Sequence, residues 1–313
     1  MMTSRLIQPA PGTDWSLRSA GLIIEASSNP DSQVFASFFA GYDRAFILPD
    51  EKEDREGFRA CMVLNQGSAY ERIFARFGPF REVVLVARDG ASGTQIGGAN
   101  FISFPLPDRS AGAEDPTLST NLNYIYIDAA WRRHGYFRRL IAAVDDVARR
   151  LFESASVQMS TLRHLIFFEQ NDPFRLSADN YARDTGHSGL DQFARVGIWA
   201  KLGAQIVDFP YVQPALSADQ DPDDALAYGI LGAVGTTISA CALHDHLERF
   251  FGISVFKGKP MQDPVTLGQL GQLSQSCERG CSIALLDMKN FPTKDEGRFS
   301  SLRDSLRAFP SPG

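Results

Sequence analysis

The stretch from Asn121 to Pro173 constrains the fold more than any other part of the chain. NLNYIYID (Asn121–Asp128) alternates with the period of a strand. A helical pattern then runs from about Gly135 to Ser154 and gathers Leu140, Ile141, Val144, Val147 and Leu151 on one face. Arg138, Arg139, Asp145, Asp146, Arg149 and Arg150 fall mostly off that face. HLIFFEQNDP (His164–Pro173) has the unbroken apolar centre of a buried strand. Strand, long helix and strand make a right-handed crossover that joins two parallel strands.

The flanking segments fill in a mixed sheet. Gln33 to about Phe77 repeats apolar residues at helical spacing, with Pro49 dividing it into two helices. REVVLVARD (Arg81–Asp89), the turn GASG and TQIGGANFISF (Thr94–Phe104) read as a hairpin, followed by an exposed loop, PLPDRSAGAEDPTLS. LDQFARVGIWAKLG (Leu190–Gly203) is a second helix that stops at a glycine, and AQIVDFPYV and DALAYGILG are further strands. The expected class is α+β: a mixed, twisted sheet with a central parallel pair flanked by helices. Residues 1–32, rich in Pro, Ser and Gly, are expected to be poorly ordered apart from a short strand at Leu22–Ala26. Residues 33–232 then form the main domain, and 233–313 a helical, then loop-rich, C-terminal extension.

Composition narrows the function classes. A formal charge of −6 opposes a general nucleic-acid binder, which needs a basic surface. No run of about 18 apolar residues exists to cross a bilayer, and the first residues lack the apolar core of a secretory signal. The four cysteines (Cys61, Cys241, Cys277 and Cys281) do not pair into a zinc pattern, and reduced thiols in a cytoplasmic protein are the simplest expectation. His244 and His246, two apart on a helix, point to different faces and read as solvated, so no metal is expected.

Between the first strand and the long helix lies WRRHGYFRRL (Trp131–Leu140), with four arginines, a histidine and one glycine. A helix N-terminus carries a partial positive charge and unpaired N–H groups, and a glycine lets an anion approach the backbone. On the residues alone, two readings stand: a phosphate or pyrophosphate cradle, or a solvated basic helix start.

Arg132-x-x-Gly135-x-Phe137, after a strand ending Ile127-Asp128-Ala129, resembles motif A of the GNAT superfamily of acyl-CoA-dependent N-acyltransferases. FFEQND resembles that family's next strand. WAKLGA (Trp199–Ala204) is similar to its Tyr-x-x-x-Gly-Phe motif, with Trp199 in the tyrosine position. The resemblance spans roughly residues 34–232. It implies acetyl-CoA as acyl donor, with pyrophosphate contacts at Arg132, Arg133, His134, Gly135, Tyr136 and Phe137. It also implies pairing with the pantetheine arm near Ile127 and a cofactor-side asparagine at Asn171. Phe137 departs from the family's small residue at that point. Trp199 removes the tyrosine that would serve as acid, since an indole N–H has no useful acidity. From Asn171 to Gly203 there are 32 positions, longer than the family's interval. The extra segment, with Tyr181, Asp184 and His187, is expected to wall the acceptor site.

Acyl transfer to an amine needs a base for the amine and an acid for the departing thiolate. Glu169, in an apolar strand where desolvation raises its pKa, is the candidate base, with Tyr126 and Asp128 as competitors; a strand-end cap is the alternative role. Tyr211 is the candidate acid, against a purely structural tyrosine. The expected function is acyl transfer to a small-molecule or peptide amine by direct attack in a ternary complex. A GNAT-fold module that binds CoA without transfer is the alternative. A third reading is an interaction protein whose tail docks a partner or a second protomer, as in a homodimer.

Overall fold

The computed structural model describes residues 13–48, 52–106, 117–152, 162–217, 219–289, 291 and 298–309. It divides into two compact units. The first comprises residues up to Phe46, Glu53–His164 and Gly252–Pro260; the second comprises Ile47–Lys52, Leu165–Phe251 and Met261 onward.

In the first unit, strands β1 (Asp14–Ser19), β2 (Leu22–Ser27), β3 (Arg81–Asp89), β4 (Gln95–Leu106) and β5 (Thr117–Ile127) are antiparallel neighbours in that order. Residues 14–27, expected to hold only a short strand, form a hairpin whose second strand pairs with β3. Helices α1 (Gln33–Ala45), α2 (Arg55–Val63) and α3 (Gly67–Phe77) replace the two helices read from the pattern. The break before α3 falls at Gly67, whose φ of 56° a helix interior excludes. The division at Pro49 lies outside the described residues, as does most of the loop after β4.

Side-chain caps explain where the helices begin. Ser32 accepts from the Phe35 N–H and Asp54 from the Gly57 N–H, each satisfying a first-turn donor. α1 and α2 lay Phe35, Phe38, Tyr42, Phe58 and Met62 against Val84 and Val86 of β3 and Tyr126 of β5. Each such side chain, moved from water to the interior, contributes about 1.5–3 kcal/mol.

The crossover helix α4 (Tyr136–Leu151) follows β5, with Leu140, Val144, Val147 and Leu151 buried as the pattern required. Its position is fixed by a polar chain. Asp145 accepts from Arg149 (2.9 Å) and pairs with His164 Nδ1 (2.6 Å), while His164 Nε2 reaches Thr120 (2.7 Å) and Thr120 reaches Ser103 (2.6 Å). Burial alone would raise the Asp145 pKa, but these bonds outweigh it and hold the carboxyl at about 2. His164 opens β6 (His164–Asn171), and with Leu118 N–H donating to Arg163 O (2.9 Å) it starts the parallel neighbour of β5. The mixed α+β sheet with a parallel pair is therefore the fold observed.

Residues 252–260, assigned from the pattern to a C-terminal extension, belong with the first unit. Ser254 Oγ donates to Glu82 Oε2 (2.7 Å), the Cys61 thiol donates to Ser254 O (3.1 Å), and Lys257 pairs with Glu53 (2.7 Å).

In the second unit the antiparallel order is β6, β8 (Leu226–Leu231), β7 (Gln205–Val207), β10 (Ser282–Asp287) and β9 (Thr237–Ser239). Its helices are α5 (Ala178–Ser188), α6 (Gln192–Lys201), α7 (Ala240–Phe250), α8 (Pro264–Glu278) and α9 (Leu302–Ala308). The tail is mainly helical, as expected, yet it also supplies β10 to the sheet. Gly229 of β8 is required by packing: a Cβ there would lie 2.2 Å from the Phe168 ring, which stacks on Trp199 at 3.7 Å. Cys241 and Cys277 form a disulfide between α7 and α8, which corrects the expectation of four reduced thiols; Cys61 is buried and free, and Cys281 is exposed and free.

Candidate functional site

After Ile127 a 3-10 turn (Ala129–Trp131) leads into residues 132–135. Arg133 (φ 68°) and Gly135 (φ 76°) both adopt left-handed backbone. Backbone of this kind turns successive N–H groups toward one side and makes a concave anion nest. Gly135 caps α4, so the positive end of the helix dipole points at the same place. A Cβ on Gly135 would meet nothing within 4 Å. Glycine is there for its φ, and the space above it is open.

The basic residues divide by task. Arg133 and His134 are exposed beside Gly135. Arg132 Nε donates to the Ile127 carbonyl (3.0 Å), which holds the end of β5 against the turn, at the residue near which pantetheine pairing is expected. Tyr136 is buried, and its hydroxyl donates to Asp89 (2.8 Å). Arg139 lies over the Tyr136 ring (4.7 Å) and donates to the carbonyls of Ala20 and Gly21 (both 2.7 Å). Phe137 is half-buried in the first turn of α4. Of the competing bases, Tyr126 is buried with its hydroxyl donating to Phe38 O (3.2 Å), and Asp128 lies 3.9 Å from Arg44.

The two catalytic candidates meet in the second unit. Tyr211, buried, places its hydroxyl within hydrogen-bond reach of Glu169 Oε1 and 2.5 Å from Gln213 Oε1. Burial pushes Glu169 up to about 7, against the lowering effect of the Tyr211 hydrogen bond; Asp223 adds to the rise. Burial and the Glu169 charge push the Tyr211 hydroxyl well above its ordinary value. Tyr211 stacks on Tyr228 (4.4 Å), which lies opposite Glu169 on β8 and hydrogen-bonds to His246 Nε2 (2.7 Å). His246 is fully buried and stacked on Phe167 (3.8 Å), so it is not the solvated residue expected. Its neighbour His244 is half-buried and, with Asp245 and Glu248, brings ligand-type atoms within 4.8 Å of one another.

Asn171 ends β6 in a buried position on the same face as Glu169. On the opposite face Trp199 donates its indole N–H to Gln170 Oε1 (3.0 Å), so the residue in the family's tyrosine position is a core residue. The segment expected to wall the acceptor site forms α5 and is tied to α6: Tyr181 contacts Asp191 (2.5 Å) and Asp184 pairs with Arg195 (2.7 Å). Sequence reasoning missed Gln213 and Tyr228. Gln213 was within reach, because a residue two positions from Tyr211 in an extended stretch shares its side.

No protein-family model matches the chain, and no curated protein matches it. Among solved structures it is similar to the ribosomal-protein-S18-alanine N-acetyltransferase of Escherichia coli, at 16% identity and a TM-score of 0.34, over 68% of this chain and 96% of that one. It is similar to an aminoglycoside acetyltransferase from an uncultured soil metagenomic sample in complex with sisomicin, at 18% identity and a TM-score of 0.27, over 54% and 86%. Arabidopsis thaliana NAA60 in complex with acetyl-CoA is similar at 11% identity and a TM-score of 0.25, over 57% and 91%.

Proposed function

We propose that this chain is an acyl-CoA-dependent N-acyltransferase of the GNAT type, moving an acetyl or other acyl group to the amine of a small molecule or peptide. The observation that carries the reading is the turn before α4, where Arg133 and Gly135 are left-handed at the positive end of a long helix, a setting suited to an anion. Arg133, His134 and Gly135 are exposed there, so a pyrophosphate has access to both charge and backbone donors. Arg132 serves by holding the turn to β5, and Tyr136 by anchoring it to Asp89. Acetyl-CoA is the proposed donor, supplying a thioester whose carbonyl the amine attacks; Asn171 is the proposed residue beside its arm.

In the proposed chemistry, the attacking amine loses a proton as its bond to the acyl carbon forms, and the departing thiolate gains one. Glu169, half-buried and poised at about 7, is the proposed acceptor of the first proton. Tyr211, which burial keeps protonated, is the proposed donor of the second, and its contact with Glu169 lets that proton be replaced. Attack is direct, within a ternary complex. A nucleic-acid partner is not part of this reading, and among the described residues no helix is long and apolar enough to cross a membrane. The proposed location is cytoplasmic. The bonded pair Cys241–Cys277 weighs against it, and alkylating the thiols of freshly extracted protein decides the point.

A second reading, a CoA-binding module without transfer, is favoured by one observation: Trp199 is buried, with its N–H engaged by Gln170, where the family has an acidic tyrosine. Calorimetry with acetyl-CoA, on wild type and Gly135→Asp, tests the cradle. The substitution puts a negative side chain at a left-handed position in open space. Micromolar binding that the variant loses supports the cradle. If neither protein binds while both remain folded, the turn is a solvated helix start and the acyltransferase reading fails. Turnover with an amine panel then separates transfer from binding alone.

A further inference from the structure

Three oxygens lie in a row in the second unit: Glu169 Oε1, Tyr211 Oη and Gln213 Oε1. Tyr211 is within hydrogen-bond distance of both neighbours, but a phenol carries only one proton. Two hydrogen bonds in a chain of three oxygens need two protons. Gln213 cannot supply the second, because its amide is oriented by other contacts. Its Nε2 donates to Pro214 O (3.2 Å), so flipping the amide would set its oxygen against that carbonyl. Its backbone is fixed as well, with Gln213 and Asp223 exchanging both N–H···O bonds (2.8 and 2.9 Å). Gln213 Oε1 is therefore an acceptor facing Tyr211, and the remaining proton belongs to the carboxyl group.

We propose that Gln213 is a positioning residue: its Oε1 takes the Tyr211 hydroxyl proton, so that in the resting protein the shared proton of the pair sits on Glu169. The chain then reads Glu169 O–H to Tyr211 Oη, and Tyr211 O–H to Gln213 Oε1. The other groups around the pair agree with this assignment. Asp223 is acidic and repels a carboxylate at Glu169. Tyr228 stacks on Tyr211 and holds its proton, since burial raises it far above its ordinary value. His246, beyond Tyr228, is pushed well below its ordinary value by burial, with Arg249 adding to the effect, so it brings no compensating positive charge. Burial raises Glu169 itself to about 7.

The inference rests on the reading of Glu169 and Tyr211 as a proton-transfer pair only for its consequence. Glu169 becomes a base only after it releases this proton, so Gln213 sets the pH below which transfer is suppressed. Removing the amide frees the Tyr211 proton to turn toward Glu169, which stabilises the carboxylate.

The test reads the proton position directly and needs no substrate. Infrared spectra of full-length protein are recorded across a pH series. The protonated-carboxyl stretch of Glu169 is identified as the band lost in Glu169→Gln and kept in Glu82→Gln. Wild type is expected to show this band below neutral pH. In Gln213→Leu its midpoint should fall by about one pH unit or more, the scale of one hydrogen bond to a carboxylate. In Tyr211→Phe, adding Gln213→Leu should leave the midpoint where it was, because the link through the hydroxyl is gone. A general packing defect would shift the midpoint in both backgrounds. An unmoved midpoint in Gln213→Leu, an equal shift in the Tyr211→Phe background, or no Glu169 band in wild type below neutral pH overturns the proposal. Absence of acetyl-CoA binding would sink the proposed function and leave this result standing.

Discussion

Glu82 offers a sharp test of how the first unit is held together. Its carboxylate is buried and accepts from Asn100 Nδ2 (2.7 Å), Asn123 Nδ2 (3.1 Å) and Ser254 Oγ (2.7 Å). Burial nonetheless dominates, and its pKa rises from an ordinary 4.5 to about 7, the hydrogen bonds and the charge of Lys257 opposing only in part. A carboxyl whose folded pKa lies above its unfolded value binds its proton more tightly when folded. Its contribution to stability is complete below pH 4.5 and is lost as pH rises through 7. At 1.36 kcal/mol per unit, the whole difference is about 3.4 kcal/mol, of which about 2.5 kcal/mol falls between pH 5 and pH 8.

Glu82→Gln removes the titration and keeps the shape. Other titrating groups contribute equally to both proteins, so the difference in unfolding free energy between wild type and variant isolates Glu82. Urea denaturation at pH 5, 6, 7 and 8, followed by fluorescence of Trp15 and Trp131 in the same unit, measures it. Wild type should lose about 2.5 kcal/mol relative to the variant from pH 5 to pH 8. A difference that is flat with pH, or that rises, refutes the claim that burial outweighs the three donors.

Reducing Cys241–Cys277 opens a loop with a separation of 36 residues, and the chain-entropy argument puts the loss at about 4 kcal/mol. Denaturation followed through Trp199, with and without reductant, should show it; a change below about 1 kcal/mol means the cross-link constrains little. Gly229→Ala places a methyl 2.2 Å from a Phe168 ring held by Trp199, and should destabilise the second unit by about 1–3 kcal/mol in the same assay.

Local signals are legible in this sequence, and most side-chain contacts between distant segments are not. β3 runs from Arg81 to Asp89 as its alternation and bounding residues indicated, and α4 buries the face its period marked. Gly135 is legible as a point of close backbone approach before α4, while its left-handed φ is a finding of the structure. Glu169 and Tyr211 lie in separate segments, and their contact is a tertiary fact that no spacing of 42 residues encodes. The disulfide is illegible for the same reason: the spacing of four cysteines does not pair Cys277 with Cys241, which lies a helix away. β1 is hard to see in the sequence, since DWSLRS is an edge strand with a single buried position and carries too little apolar alternation to stand out.

Among the described residues, burial pushes two carboxyl groups, Glu82 and Glu169, up to about 7, and the raised value alone does not tell them apart. What distinguishes them is hydrogen bonding and access. Both oxygens of Glu82 accept from side chains of β4, β5 and residue 254, and the residue is 1% exposed. At that exposure a substrate proton has no route to the carboxyl group. Glu169 is half-buried and has the Tyr211 hydroxyl as its hydrogen-bonding neighbour, itself shared with Gln213. A group that can exchange its proton must have both an exposed side and a partner able to hand one on. Glu169 is only partly buried as a residue and has such a partner, so Glu82 is read as a buried latch for the 252–260 segment, and Glu169 remains the proposed base.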